Sequence, residues 1–212
     1  MQGAYTAIVP IKAWARSKTR LHPDRAVREA LARAFAEDVL RATALCASVG
    51  AIVVVSSEPG VGPLADEVGA TVMPEPVDGL PDPLNAAVLH GAAWAGEQGD
   101  DGPIVVVPAD LPALTPESLA DALELALPWR GAFCADTAGS GTTLLMASSA
   151  RQLRPAYGDD SARRHTALGA AALDGVDPRV RRDVDRLDDL RAAAVLGVGP
   201  ATLALSSPRL GG

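Results

Sequence analysis

The chain of 212 residues is long enough for one domain with a substantial core, and at 48% hydrophobic but 3% aromatic residues that core must be built mainly of Ala, Val and Leu. A formal net charge of -7 argues against a nucleic-acid partner, since phosphate-backbone binding needs a broad basic surface. No apolar run is long enough to span a bilayer, no charged-then-apolar leader is seen, and Cys46 and Cys134 stand far apart among apolar neighbours, so the expectation is a cytoplasmic protein with reduced core cysteines and no membrane partner.

The first segment, Ala7-Ile8-Val9, reads as a buried strand that ends at Pro10 and runs into a loop carrying Lys12, Arg16, Lys18 and Arg20. Four cations in one short loop of an acidic protein suggest an anion site, placed where α/β proteins bind ligands, beyond the carboxyl end of a strand. Val27, Leu31, Phe35, Val39 and Ala42 recur at helical spacing and predict a helix from about Asp24, its N-cap, to Ala47. AIVVVSS from Ala51 has the β-branched continuity of a strand covered on both faces. A short helix over Val61–Val68 and a short strand over Thr71–Met73 follow. GVGPLA at 60–65 departs from a dinucleotide fingerprint because Ser56 to Pro59 intervene and Pro63 removes an N–H, so it reads as a loop and helix start.

PEPVDGLPDP at 74–83 must be loop, and LNAAVLHGAAWAG at 84–96 predicts a helix of small residues that can pack closely on a sheet. PIVVVPADLPAL at 103–114 reads as a strand whose polar end is Ala109-Asp110. Thr115, Pro116 and Glu117 form a helix start with N-cap, first-position Pro and a dipole-facing carboxylate. GAFCAD at 131–136 and TTLLMAS at 142–148 predict two strands around a Gly-rich turn. SARRHTALGAAAL at 161–173 predicts a helix, RVRRDVDRLDDL at 179–190 a strand end leading to a capped helix, and the last residues a loose tail. Without repeats or linkers, the alternation implies one domain over 1–212, a doubly wound three-layer α/β/α sandwich.

Asp110 ends a buried strand, and Asp183 and Asp185 flank Val184, which in extended backbone puts both carboxylates on one side. Such a set suits Mg²⁺, a hard ion that takes carboxylates together with phosphate oxygens. Asp183 or Asp185 reads equally well as the cap of the helix starting near Arg186. Gly141, Thr142 and Thr143 in a turn, and Gly158 and Ser161 at a helix start, could hold a second anion, or could be an ordinary hairpin turn and cap. Arg163, Arg164 and His165 then fall on solvated helix positions. No Walker loop, nucleophile elbow or Cys–His pair indicates a covalent nucleophile.

Five stretches in order, IVPIKAWARSKTRL, VVVPADLPALTPESL, SGTTLL, GDDSARRH and DVDRLDDL, resemble the CofC/FbiD family of guanylyltransferases of coenzyme F420 biosynthesis. The resemblance implies the GT-A-like, Rossmann-like nucleotidyltransferase fold with a mixed, mostly parallel sheet. It implies nucleotide contacts at Lys12, Lys18, Arg20 and Asn85, metal binding of Mg²⁺ at Asp110, Asp183 and Asp185, and acceptor binding at Thr143, Gly158 and Ser161; Lys12, Lys18 and Asp110 would be catalytic. The implied partners are GTP and phosphoenolpyruvate or 2-phospho-L-lactate, with room for a homodimer. The Ala-, Arg- and Gly-heavy composition looks like that of a high-GC actinobacterial protein, whose relatives resemble the phosphoenolpyruvate users. The expected reaction is transfer of GMP from GTP to phosphoenolpyruvate with release of diphosphate; another nucleotidyltransferase, a metal-dependent glycosyltransferase or a non-catalytic nucleotide sensor would use the same fold.

Overall fold

A computed structural model describes residues 4–16, 18, 20–76, 81–98 and 102–206, without the side chains of Arg16 and Ser206. In chain order it contains β1 (Tyr5–Pro10), α1 (Arg25–Leu45), β2 (Val49–Val55), α2 (Val61–Val68), β3 (Thr71–Met73), α3 (Pro83–Glu97), β4 (Ile104–Val106) and α4 (Pro116–Ala126). There follow β5 (Gly131–Ala135), β6 (Thr142–Ala147), α5 (Ser161–Ala167), β7 (Ala171–Ala172), α6 (Pro178–Arg181), α7 (Leu187–Leu196) and α8 (Pro200–Ser206). The strands form one sheet in the order β3-β2-β1-β4-β6-β5-β7. β1, β2, β3 and β4 run parallel, β6 is antiparallel to β4 and β5, and β7 is parallel to β5.

The pleat of β1 divides the core. Ala7 and Val9 pack beneath α1, α2 and α4, whereas Ile8 faces the opposite layer with α3. This is the three-layer sandwich the alternation of elements predicts. Its mixed sheet arises because β6 returns antiparallel to β5 through a turn at 136–141. α3 lies directly on the sheet at Gly91, where a Cβ would meet Ile8 Cγ2 at 2.9 Å and Val55 Cγ2 at 3.1 Å. A methyl there would overpack a core already filled by β-branched residues. Cys46 and Cys134 are free and buried, and burial pushes the Cys134 thiol up to about 12.

Local chemistry accounts for the helix starts. Asp24 accepts from the N–H groups of Ala26 and Val27, and Thr115 and Ser118 form a reciprocal capping box at α4 with Pro116 in the first turn. Among the described residues no helix is long and apolar enough to cross a membrane.

Four sequence expectations are corrected. The strand expected over 103–114 is paired only over Ile104–Val106; Val107 donates one more bond to Ile8, and Pro108, which has no N–H, ends the ladder before a turn at Ala109-Asp110. The helix expected over 161–173 stops at Ala167, because Gly169 (φ 88°) turns the chain so that Ala171 and Ala172 pair with β5. Pairing with a sheet edge overrides the helix preference of an Ala-rich run. Residues 178–181 are a helical turn rather than a strand end, with Asp177 as N-cap and Pro178 at the first position.

The fourth correction concerns the tail. Residues up to 206 form α8 against α1, while 207–212 lie outside the described residues. The carboxylate of Asp38 on α1, only 4% exposed, accepts from the N–H groups of Ala201 at 3.0 Å and Thr202 at 2.8 Å, so a buried anion caps this helix from a neighbour. Asp38→Ala is expected to lower stability by about 2 kcal/mol in denaturant unfolding, the scale for lost hydrogen bonds to a charged group. An unchanged midpoint would show that these bonds do not hold α8.

Candidate active site

β1 and β4 are hydrogen-bonded neighbours and end at the same edge of the sheet. The loop after β1 carries Lys12, Trp14 and Lys18, and the turn after β4 carries Asp110. A third segment, between α6 and α7, is fastened alongside: Val184, fully buried, donates its N–H to the Asp110 carbonyl at 3.0 Å. Burying Val184 leaves its two acidic neighbours on the other side of the chain. Lys12, Lys18, Asp110, Thr143, Asp183 and Asp185 all line one cavity of about 360 Å³ at this edge. As the alternation around Val184 predicts, Asp183 and Asp185 face the same cavity.

Neither Asp183 nor Asp185 caps the following helix. Asp189, inside the first turn of α7, accepts from the N–H groups of Asp185 at 3.2 Å and Arg186 at 2.9 Å, and Arg186 is the N-cap. The carboxylates of Asp183 and Asp185 are left for the cavity.

Lys18 is the centre of the site. Its ammonium lies 2.8 Å from Asp110 Oδ2 and 2.8 Å from Asp185 Oδ1, with 10% of the side chain exposed. Its backbone occupies the left-handed region (φ 55°), where a non-glycine residue is strained by about 1 kcal/mol. Burial acts to lower the Lys18 pKa, but the charges and hydrogen bonds of Asp110 and Asp185 outweigh it and raise the value to about 12. For Asp185, burial pushes the carboxyl up, and Lys18, with Arg20 and Lys12 behind it, holds it below its ordinary value. Asp183 has no such compensation: burial and then the charges of Asp110 and Asp185 push it up to about 7, against a smaller effect of Lys18.

Three carboxylates, one of them poorly compensated, make an all-oxygen donor set of the kind hard divalent cations take. With the Lys18 ammonium seated between two of them, no group of three or more His, Cys, Asp or Glu side chains among the described residues is arranged to hold an ion as it stands. The donor chemistry fits a metal ion, provided Lys18 gives up one of its carboxylates.

Of the other residues named by the resemblance, Arg20, Asn85, Gly158 and Ser161 fall around this cavity and Thr143 lies on it. Arg20 is exposed, and its charge is felt at Asp185. Asn85, 7% exposed, clamps the Tyr157 peptide from both sides: its Oδ1 accepts from the Tyr157 N–H at 2.9 Å, and its Nδ2 donates to the Tyr157 carbonyl at 3.2 Å and to Asp82. Thr143 is on the wall, but its hydroxyl donates to the Val180 carbonyl at 2.6 Å and so ties β6 to α6. Gly158 (φ 113°) and the buried Ser161 build the turn into α5, next to the lining residue Tyr157. The Arg16 side chain lies outside the described residues.

Sequence reasoning missed three residues. Trp14 and Tyr157 line the cavity, and His165, expected on a solvated position, is fully buried between Phe133 and Tyr157, with Tyr157 edge-on at 5.3 Å. The available signal was spacing: His165 lies four residues after Ser161, so both share the buried face of α5.

The comparisons agree with this architecture. Residues 5–172 match the family described as guanylyl transferase CofC like. Phosphoenolpyruvate guanylyltransferase of Streptomyces scabiei is 45% identical over 208 residues, with 96% of each chain covered. The protein of that name from Streptomyces coelicolor is 44% identical over 208 residues, again with 96% of each covered. Among solved structures, 4-diphosphocytidyl-2C-methyl-D-erythritol synthase is 17% identical with a TM-score of 0.61, covering 92% of this chain and 99% of its own, a likeness of fold. On the family match and the full-length relatives together, the chain belongs to the CofC-like guanylyl transferase family.

Proposed function

We propose that this protein is a phosphoenolpyruvate guanylyltransferase, which joins the phosphate of phosphoenolpyruvate to the α-phosphate of GTP and releases diphosphate. The observation that carries the reading is the Lys18 ammonium between Asp110 and Asp185 at the carboxyl edge of the sheet, with Asp183 beside it. Family membership and the substrates named for the relatives from Streptomyces support it.

The attacking oxygen belongs to a phosphate monoester, already anionic at neutral pH, so no general base is required. The task of the protein is to place two polyanions in line and offset their charge. Lys12, Lys18 and Arg20 hold the triphosphate and the departing diphosphate. Asp110, Asp183 and Asp185 would hold Mg²⁺, which when bound supplies Lewis-acid neutralisation of the reacting phosphates. Lys18 then exchanges a carboxylate partner for a phosphate oxygen. Asn85 acts through Tyr157, whose peptide it fixes at the cavity wall. Thr143, Gly158 and Ser161 shape the acceptor end. Reduced, buried cysteines agree with a cytoplasmic setting.

Incubation with GTP, Mg²⁺ and a panel of acceptors tests this reading. Diphosphate release is expected with phosphoenolpyruvate and less with 2-phospho-L-lactate; release at background level with both would refute it. Asp183→Asn and Asp185→Asn are each expected to reduce kcat by roughly a hundredfold or more while the circular dichroism stays that of the parent. Normal turnover in both variants would remove the metal role of the pair.

Asp183 also gives a signed stability prediction. Because its folded pKa is raised from 3.8 to about 7, the folded protein binds more protons than the unfolded chain between those values. The metal-free protein therefore loses stability as pH rises across that window. Asp183→Asn is expected to remove this slope and to raise the thermal midpoint above pH 7; an unchanged slope would contradict the burial of an uncompensated carboxylate.

A further inference from the structure

The loop that carries Lys12 and Lys18 is gripped from the turn after β2. β1 and β2 are parallel neighbours with Pro10 opposite Val55, so the turns that follow them leave the same edge of the sheet side by side. Ile11 extends the ladder by donating its N–H to the Val55 carbonyl at 3.0 Å, and Trp14–Arg16 then form a single 3₁₀ turn. The first N–H of that turn, belonging to Trp14, donates to Glu58 Oε2 at 3.0 Å. Glu58 Oε1 accepts from the Gly60 N–H at 3.3 Å, and the Glu58 N–H donates to the buried Ser56 hydroxyl at 3.1 Å, which fixes the carboxylate between the two loops.

Gly60 completes the grip by having no side chain. A Cβ there would lie 2.5 Å from Trp14 Cζ3 and 2.6 Å from Cη2, so the indole rests against bare backbone. The Gly60 φ of −75° suits any residue, so glycine is needed here for space and not for conformation. The Arg33 guanidinium, on α1, stands over the same ring, 5.9 Å from its centre.

The loop so gripped is a strained one. Lys18 occupies the left-handed region, which a non-glycine residue keeps only where its surroundings impose it. After Lys18 the chain is closed by the Leu21 N–H on the Lys18 carbonyl at 2.9 Å; before it, Glu58 and the indole seated at Gly60 fix Trp14. Neither Glu58 nor Gly60 lines the cavity, so any effect of either on a ligand must pass through the loop.

We infer that Glu58 and Gly60 are positioning residues for the triphosphate: by fixing Trp14 they hold the loop after β1 where Lys12 and Lys18 meet phosphate oxygens, and they touch no substrate themselves. The inference rests on the reading of this cavity as the site of GMP transfer from GTP.

Equilibrium binding of GTP with Mg²⁺ in the absence of acceptor, together with KM for phosphoenolpyruvate at saturating GTP, tests it. Glu58→Ala is expected to weaken GTP binding roughly tenfold, the scale of a lost hydrogen bond to a charged group, with KM for phosphoenolpyruvate within about twofold of the parent. Glu58→Gln keeps one acceptor oxygen and is expected to fall between the two. Gly60→Ala reaches the same loop without touching the carboxylate and is expected to weaken GTP binding roughly fivefold or more. In a Trp14→Ala background the added methyl meets no ring, and the same Gly60→Ala change is expected to alter GTP binding by less than about twofold. This cycle separates a clash with the indole from a general effect on the fold.

GTP binding unchanged in Glu58→Ala, an equal loss for both substrates, or a Gly60→Ala effect that persists without the indole would each overturn the inference. A parent that transfers GMP to phosphoenolpyruvate while Glu58→Ala binds GTP normally removes only the positioning role. A parent enzyme that releases no diphosphate with phosphoenolpyruvate removes the proposed function and, with it, this inference.

Discussion

The structure turns on one buried cation. Lys18, with a tenth of its side chain exposed, is held by carboxylates from two distant parts of the chain, Asp110 and Asp185. An ammonium removed from water to that degree is stable only when paired, and removing one partner of such a pair is far costlier than never having formed it. The arrangement therefore requires three segments to arrive at one place. β1 and β4 deliver two of them by ending side by side, and the bond from the Val184 N–H to the Asp110 carbonyl delivers the third. Much of the remaining fold serves this convergence: α7 carries its own cap in Asp189, so Asp185 is not drawn away, and Thr143 fastens β6 to the turn of α6 that precedes Asp183.

On the proposed function, the same convergence lets a protein with net charge -7 hold two polyanions. Four of its 19 basic residues, both lysines among them, fall in the short loop after β1, which on the proposed function holds phosphate, while the carboxylates of Asp110, Asp183 and Asp185 beside Lys18 leave the site short of positive charge. Asp183 shows the shortage most plainly, since burial and two neighbouring anions push its carboxyl up to about 7. On that reading, such a site is destabilising without its ligands and is relieved when they bind, the usual compromise between stability and activity at a functional site. On the proposed function, Lys18 serves as the internal counter-ion of the resting site and as a phosphate ligand of the working one.

Much of this was legible in the sequence, because its signals are local. β-branched runs mark β1, β2 and β4, Asp24 and Thr115 mark helix starts, and the alternation Asp183-Val184-Asp185 places two carboxylates on one side. What escaped depended on contacts between distant residues. Ala171-Ala172 became a strand because the edge of β5 was open to it, and the tail became α8 because a carboxylate 163 residues earlier caps it. The same holds for His165, whose burial is set by Phe133 and Tyr157, and for Lys18, whose two partners lie 92 and 167 residues away. Asn85 was legible as a site residue through family resemblance, but its amide is spent on the Tyr157 backbone.

Guanylyl transfer at this site is tested most directly by the chemical identity of the product, read by ³¹P NMR on a reaction of the purified protein with GTP, Mg²⁺ and phosphoenolpyruvate. That transfer is expected to give loss of the phosphoenolpyruvate monoester signal, growth of two coupled resonances from an unsymmetrical diphosphate diester, and free diphosphate in equal amount. A monoester signal that persists while GTP remains intact, or decays only to GDP and phosphate, would contradict it.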